Sequence, residues 1–193
     1  NNLGVISTVA GNGLASYGGD GGSATAAKLY FPYGVAVDRN GVIYIADTYN
    51  HRIRKVDNAG IISTIAGTGI ATNGGDGGLA TLAKLNSPNG VCIDTNGNVL
   101  IADTSNHIVR IISVNTIYRI AGNNVNVGYR GDGGLATAAQ LNNPTSISVD
   151  TNGNIFIADT GNHVIRKVDT FGIISTVVGY AAIADFSGDG NLA

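Results

Sequence analysis

Ile43-Tyr44-Ile45-Ala46-Asp47-Thr48-Tyr49-Asn50-His51-Arg52-Ile53-Arg54-Lys55-Val56 decides the fold, because the chain writes this stretch three times. It returns as Val99-Leu100-Ile101-Ala102-Asp103-Thr104-Ser105-Asn106-His107-Ile108-Val109-Arg110-Ile111-Ile112, and again over 155–168, each copy 56 residues after the last. Asp47, Asp103 and Asp159 share one register. His51, His107 and His163 share another and are the only histidines, just as Pro32, Pro88 and Pro144 are the only prolines. A fixed period with fixed content means one supersecondary unit per repeat, each unable to bury its apolar face without a neighbour.

Working outward, the first copy spans 4–59, the second 60–114 and the third 115–171; a partial fourth, 172–193, reaches the loop Ser187-Gly188-Asp189-Gly190-Asn191. Together they form one repeat domain. In the second copy Ile61–Ala66, Gly90–Asp94, Val99–Asp103 and His107–Ile112 read as strands, and Ala80–Leu85 as a turn or two of helix. Asn96-Gly97 predicts a hairpin with positive φ at both residues. Asp76, in the Gly-rich stretch before Ala80, predicts a cap for the short helix. Four antiparallel strands with apolar residues on both faces make a twisted sheet that must be covered on each side. Radial repetition of such sheets is a β-propeller, and an open spiral is the other geometry. The chain opens on the last strand of a blade, Val5 to Ala10, and ends where another blade should begin, so both ends leave sheet surface free to pair.

Composition agrees. The 193 residues are 44% hydrophobic and 12% charged, with 29 glycines and no Met, Trp or Glu, which favours strands and tight turns. The net charge is −2 and the 11 basic residues form no run, which argues against nucleic acid as a partner. No apolar run reaches the roughly 18 residues of a membrane span. No secretory signal is visible, and a first residue of Asn predicts a processed or partial chain. Cys92 stands in register with Ala36 and Ser148, a slot for a small buried side chain, and a lone cysteine forms no intrachain disulfide.

The run from Gly34 to Asp38, followed by Ile43 to Val56, closely resembles the NHL-repeat family of β-propellers. Gly19-Asp20-Gly21-Gly22-Ser23-Ala24-Thr25-Ala26-Ala27-Lys28-Leu29 is similar to an insertion of the long bacterial and protist versions. The resemblance covers essentially the whole chain. It implies NHL-type blades of four antiparallel strands, most often six to a ring, with binding surfaces at the two ends. Three repeats and a fraction do not close such a ring. Relatives of this kind include protein-binding, RNA-binding and enzymatic members, so fold alone leaves function open. Long-insert arrays that look like this point to the extracellular space or the cell envelope.

Each Asp-Asn-His-Arg set recurs in every repeat, which marks it as structural rather than catalytic. The expected network is Asp47, His51 and Arg54; Asp103, His107 and Arg110; and Asp159, His163 and Arg166, each set knitting its own blade. Equivalent histidines on separate blades do not converge on one zinc ion. Asp94-Thr95-Asn96-Gly97-Asn98 opens like a calcium loop but has Val99 where an EF-hand needs Gly and Ser105 where it needs Glu. No nucleophile elbow or phosphate loop is present. No catalytic, metal or cofactor site is expected. Tyr17, Tyr30, Phe31, Tyr33, Tyr129 and Arg130 lie in or beside the inserted loops and read either as binding contacts or as packing for the insert. The reading is a non-catalytic propeller segment that binds protein or assembles with itself. The alternatives are a ligand-sensing or adhesive domain, and a fragment of a metal-dependent lyase or lactonase.

Overall fold

The computed structural model describes residues 4–180. The first sheet is β1 (Pro32–Val37), β2 (Ile43–Asp47), β3 (Arg52–Val56) and β4 (Ile62–Ala66). The second is β5 (Gly90–Ile93), β6 (Val99–Asp103), β7 (Ile108–Ser113) and β8 (Thr116–Ala121); the third is β9 (Pro144–Val149), β10 (Ile155–Asp159), β11 (Val164–Val168) and β12 (Ile174–Val178). Each sheet is antiparallel in chain order. Each therefore draws its fourth strand from the start of the following repeat copy. The fold is all-β, built of NHL-type propeller blades with a short insert before each. The Gly-Asp-Gly loop of the fourth copy lies outside the described residues.

Alternation along the strands explains the layering. Ile43 and Ile45 point to the front of the first sheet, and Tyr44 and Ala46 to its back. In the second sheet Val99 and Ile101 face the first sheet, while Leu100 and Ala102 face the third. One apolar core thus fills each interval between sheets. The inner strands β1, β5 and β9 run side by side. Glycine is needed there: a Cβ on Gly90 would stand 2.7 Å from the Thr145 carbonyl oxygen, and one on Gly34 would strike that of Asn89.

The inserts are tighter than a turn or two of α-helix. Ala24–Ala26, Ala80–Leu82 and Ala136–Ala138 are single 3-10 turns. Their alanines and the leucine that follows, Ala80, Ala83 and Leu85 in the second copy, wedge into the core between sheets. The Gly-rich loop ahead of each turn pairs with the outer strand of the sheet that follows: Gly77 N–H donates to Ile117 O at 2.8 Å, and Ile117 N–H to Gly78 O at 3.0 Å. This covers part of an otherwise open edge. Val5–Ala10 belongs to none of the three sheets. By its place in the repeat it stands in register with β4, which pairs with β3.

Turn chemistry differs from the Asn-Gly hairpin expectation. Gly41, Gly97 and Gly153 have φ of 85, 83 and 89°, whereas the Asn before each has a negative φ. Asp94 Oδ1 accepts N–H bonds from Asn96 (2.9 Å) and Asn98 (2.8 Å), and Gly97 N–H donates to Asp94 O at 3.1 Å. An Asp-led three-residue turn needs only one positive φ. The β7–β8 turn is a residue shorter, and both Val114 (φ 47°) and Asn115 (φ 70°) are left-handed. A β-branched residue is poorly suited to that conformation, and Val114 is 93% exposed. Replacing Val114→Asn will therefore raise stability by about 1 kcal/mol, seen as a higher urea midpoint at unchanged slope.

Candidate interaction interface

Two kinds of polar joint recur in the blades. The first lies within a blade. Asp47 ends β2, and the 3-10 turn Thr48–Asn50 returns the chain to β3. The buried Asp47 carboxylate accepts from Tyr30 N–H (2.7 Å), Asn50 Nδ2 (2.9 Å) and Arg54 Nη1 (3.0 Å). Asp103 accepts from Asn86 N–H (2.7 Å), Asn106 Nδ2 (2.8 Å) and, at 3.5 Å, Arg110 Nη1. Asp159 accepts from Asn142 N–H (2.7 Å), Asn162 Nδ2 (2.7 Å) and Arg166 Nη1 (3.4 Å). Burial pushes the Asp103 carboxyl up to about 6 against the pull of these donors, and raises Asp159 as well.

Each arginine is wholly buried and reaches a second carboxylate. Arg54 meets Asp20 at 2.7 Å, Arg110 meets Asp76 at 2.7 Å, and Arg166 meets Asp132 at 2.6 Å. These are the aspartates of the Gly-rich loops. They do not cap the turns that follow: Ser23, Leu79 and Leu135 hold the cap positions, with no side-chain cap bond. The carboxylate turns inward because a buried guanidinium needs more acceptors than one aspartate supplies. Arg110 also donates to Lys84 O (2.9 Å) and Gly74 O (3.1 Å), which ties the insert to the blade. For Asp20, burial opposes the charge, but bonds from Thr64 and Tyr17 and the Arg54 guanidinium outweigh it and lower its pKa. Removing the cation by Arg110→Leu leaves two carboxylates facing each other's cavity without a counterion. That variant will lose about 3–5 kcal/mol in chemical unfolding, with a shortfall that narrows on acidification as the carboxyls protonate.

The second joint lies between blades and carries the histidines. His51 closes the 3-10 turn at φ 53°, so its ring leaves its own Asp-Arg cluster. His51 Nδ1 accepts from Ser87 N–H at 3.0 Å, and His107 Nδ1 accepts from Asn143 N–H at 3.0 Å, in each case across to the next blade. Thr48 Oγ1 donates to Pro88 O at 2.7 Å and Thr104 Oγ1 to Pro144 O at 2.8 Å over the same seam. The threonine hydroxyls are invisible to a search for chemistry in the sequence, yet they stand in the same repeated word. Arg39, in register with Thr95 and Thr151, adds a bond to Thr95 O at 2.7 Å.

Each imidazole must be neutral at Nδ1 to accept. Burial and then the Arg52 charge lower His51; burial lowers His107, against a smaller raising by Asp159. A lowered folded-state value means the unfolded chain takes up protons first, so the histidines' contribution is intact above the ordinary 6.5 and is lost as pH falls below it. A double variant His51→Asn, His107→Asn keeps an acceptor and tolerates the left-handed backbone, but does not titrate. Urea midpoints at about pH 7.5 and about pH 5 will show the natural chain losing ground to this variant on acidification.

The outer sheets have one uncovered face each. Val91 and Ile147 are 7% exposed at the front of β5 and β9, while Val35, at the same register of β1, is 67% exposed. Tyr33 and Val37 are exposed beside it, as are Val5, Ile6 and Val9. A groove of about 760 Å³ runs there between Ala10, Gly11, Leu29, Phe31 and Pro32. On the back of the third sheet Val178 is exposed where Ala66 and Ala121 are buried, and Ser146, Phe156 and Ala158 line a shallow depression.

The aromatic residues divide. Tyr17 lies under the Arg52 guanidinium at 3.7 Å and bonds Asp20 at 2.9 Å, and Tyr129 bonds Thr176 at 2.8 Å, so both fasten inserts to blades. Tyr30, Phe31, Tyr33 and Tyr49 pack on one another at the mouth of the first blade, with centroids 4.9–6.5 Å apart. Their counterparts in the later copies are Asn, Ser, Thr and Gly. Among the described residues no group of three or more His, Cys, Asp or Glu is placed to hold a metal ion. Burial, and then Asp94, push the Cys92 thiol up to about 12, so it carries no thiolate at neutral pH.

Four-stranded blades, a Gly-Asp-Gly insert before each and an Asp-x-x-Asn-His-x-x-Arg joint together define NHL-type repeats. The teneurin NHL domain profile matches residues 8–73 and 123–187, and the NHL repeat profile matches 85–112. The chain belongs to the teneurin NHL domain family. It is 34% identical to teneurin-3 of Danio rerio over 190 residues, which is 90% of this chain and 7% of that protein. It is 39% identical to NHL repeat-containing protein 2 of Gallus gallus over 106 residues, 53% of this chain and 14% of that protein. The chain thus spans a small part of the length of the curated relatives it matches. A crystal structure of a protein of unknown function from Bacteroides thetaiotaomicron shares the fold, with a TM-score of 0.61 at 23% identity over 78% of this chain and 36% of that one.

Proposed function

We propose that this chain is a non-catalytic propeller segment that works by docking protein against its two end faces, copies of itself included, outside the cell or in the cell envelope. The observation that carries the reading is the exposure of Val35, 67% where its counterparts Val91 and Ile147 are at 7%. An apolar sheet face that two sister sheets bury is a surface shaped to receive another sheet. The nine residues of the repeated Asp-His-Arg network are structural in this reading: Asp and Arg bind insert to blade, and His51 and His107 bind blade to blade. The carboxylates and most of the guanidinium N–H groups are spent on neighbours in the chain, which leaves little for a substrate. The extracellular assignment rests on the likeness of the long inserts to those of secreted and envelope arrays. Among the described residues no helix is long and apolar enough to cross a membrane.

Light scattering on a sizing column tests the reading. The expected species is larger than the 19.6 kDa chain, a ring of two copies or a filament, with apolar dye binding that falls as it forms. A folded chain that stays monomeric at high concentration would overturn self-association.

A further inference from the structure

We propose that the insert loops are prongs that seat one end of the blades on a zwitterionic lipid bilayer, with Ile70, Val125 and Val127 entering the boundary between headgroups and acyl chains. Both loops lie at internal junctions: 67–73 joins the first sheet to the second, and 122–129 joins the second to the third.

These side chains add little to any core. Ile70 is 56% exposed, Val125 83% and Val127 53%. Leu14 holds the place of Ile70 in the first copy, so each of the three copies writes an aliphatic residue at the loop tip. An apolar residue repeated at an exposed loop position marks contact with something outside the chain. The backbone presents each tip ready-made. Gly13, Gly69 and Asn124, just ahead of the tips, have φ of 84, 86 and 64°. Asn123 Oδ1 accepts from Val125 N–H and Asn126 N–H, each at 3.0 Å, and Ile70 O accepts from Thr72 N–H at 2.9 Å. Each loop is pinned to the Thr-x-Asn turn of its own blade: Asn106 Nδ2 donates to Thr72 O at 3.1 Å, and Asn162 Nδ2 to Gly128 O at 2.8 Å. Tips fixed before contact lose little conformational freedom on insertion.

The chemistry of the two ends of the strands selects lipid. Loop residues 12–16, 68–72 and 123–128 contain no charged side chain, and neither do the turns 48–50, 104–106 and 160–162 that hold them. Arg52, the cation beside the second loop, is taken up by Asn50 O and Thr68 O. The turns at the opposite ends of the strands carry Asp38, Asp57, Asp94, Asp150 and Asp169 against the single Arg39. A chain of that polarity turns its neutral end to a bilayer and gains nothing from anionic headgroups. The tips are also separate prongs, set among Asn, Gly and Thr. A protein partner needs one contiguous buried centre ringed by polar atoms, whereas acyl chains close around each prong by itself. Tyr49, 44% exposed on the turn 48–50, adds an amphipathic ring of the kind that settles at headgroup level.

The test is flotation of the full chain with phosphatidylcholine vesicles and, separately, with vesicles containing phosphatidylserine. The expected result is binding to phosphatidylcholine that is insensitive to salt and no tighter on phosphatidylserine. Ile70→Ser and Val125→Ser will each weaken it roughly tenfold. Phe171→Ser, at an exposed position among the acidic turns, will leave it unchanged. The chain has no tryptophan, so Ile70→Trp and Phe171→Trp each install a single fluorescent reporter. Brominated phosphatidylcholine will quench the first and spare the second. Absence of binding to either vesicle overturns the proposal and leaves the tips to a protein partner. Binding to phosphatidylserine alone, lost on adding salt, also overturns it. So does an equal loss in Phe171→Ser, which marks unspecific adhesion.

Discussion

The blades depend on a buried guanidinium held between two carboxylates. Arg54, Arg110 and Arg166 are closed off from water, and each joins an aspartate at the end of a β-strand to an aspartate from a Gly-rich loop 34 residues earlier. A buried charge is tolerable only when its hydrogen bonds are made. That requirement fixes the insert, whose short 3-10 turn and small side chains would not hold it in place alone. The seated insert in turn places its alanines and leucine in the core and lends its glycines to the outer strand. Polar satisfaction in one atom group thus organises apolar packing some distance away. Arg54 Nε is the exception, buried with no hydrogen-bond partner, and Tyr17 takes up part of its neighbourhood as a ring under the cation.

Much of this was legible in the sequence because repetition separates structure from accident. The strands, the insert and the Asp-Arg pairing follow from words that recur in register. What was not legible involves direction rather than identity. Asp76 precedes a helical turn and so reads as its cap; only the placement of Arg110 shows which way the carboxylate faces. His107 sits at the start of a strand in sequence, but the left-handed backbone takes it out of the strand, and its ring crosses to the next blade. Thr48 and Thr104 look like turn residues and serve as seam donors. The Asn-Gly pairs suggested a two-residue hairpin, yet the Asp ahead of them captures two N–H groups and leaves a single glycine to turn left. In each case a local rule lost to a partner that is distant in sequence.

The two joints differ in strength and reach. The Arg joint is internal, charge-assisted and shielded, so salt and partners hardly affect it. The His-Thr seam is made of neutral bonds to backbone atoms, the threonine bonds buried and the histidine bonds closer to water, and the histidine bonds form only when imidazole is uncharged. Of the two polar joints, the one to the insert is therefore the firmer, and the hold on the neighbouring blade leans on the apolar core between the sheets. Stability in such an array approximates a sum of unit terms and nearest-neighbour terms, and the neighbour terms decide how far order propagates.

The offset between repeat and sheet has an evolutionary consequence. Because each sheet takes its fourth strand from the following copy, a duplication of one whole period joins a known strand to a known strand wherever the breakpoints fall. Unequal recombination between copies therefore adds or removes complete blades without creating an untried interface. The length of such an array can drift by whole blades while every junction remains one already tested by selection.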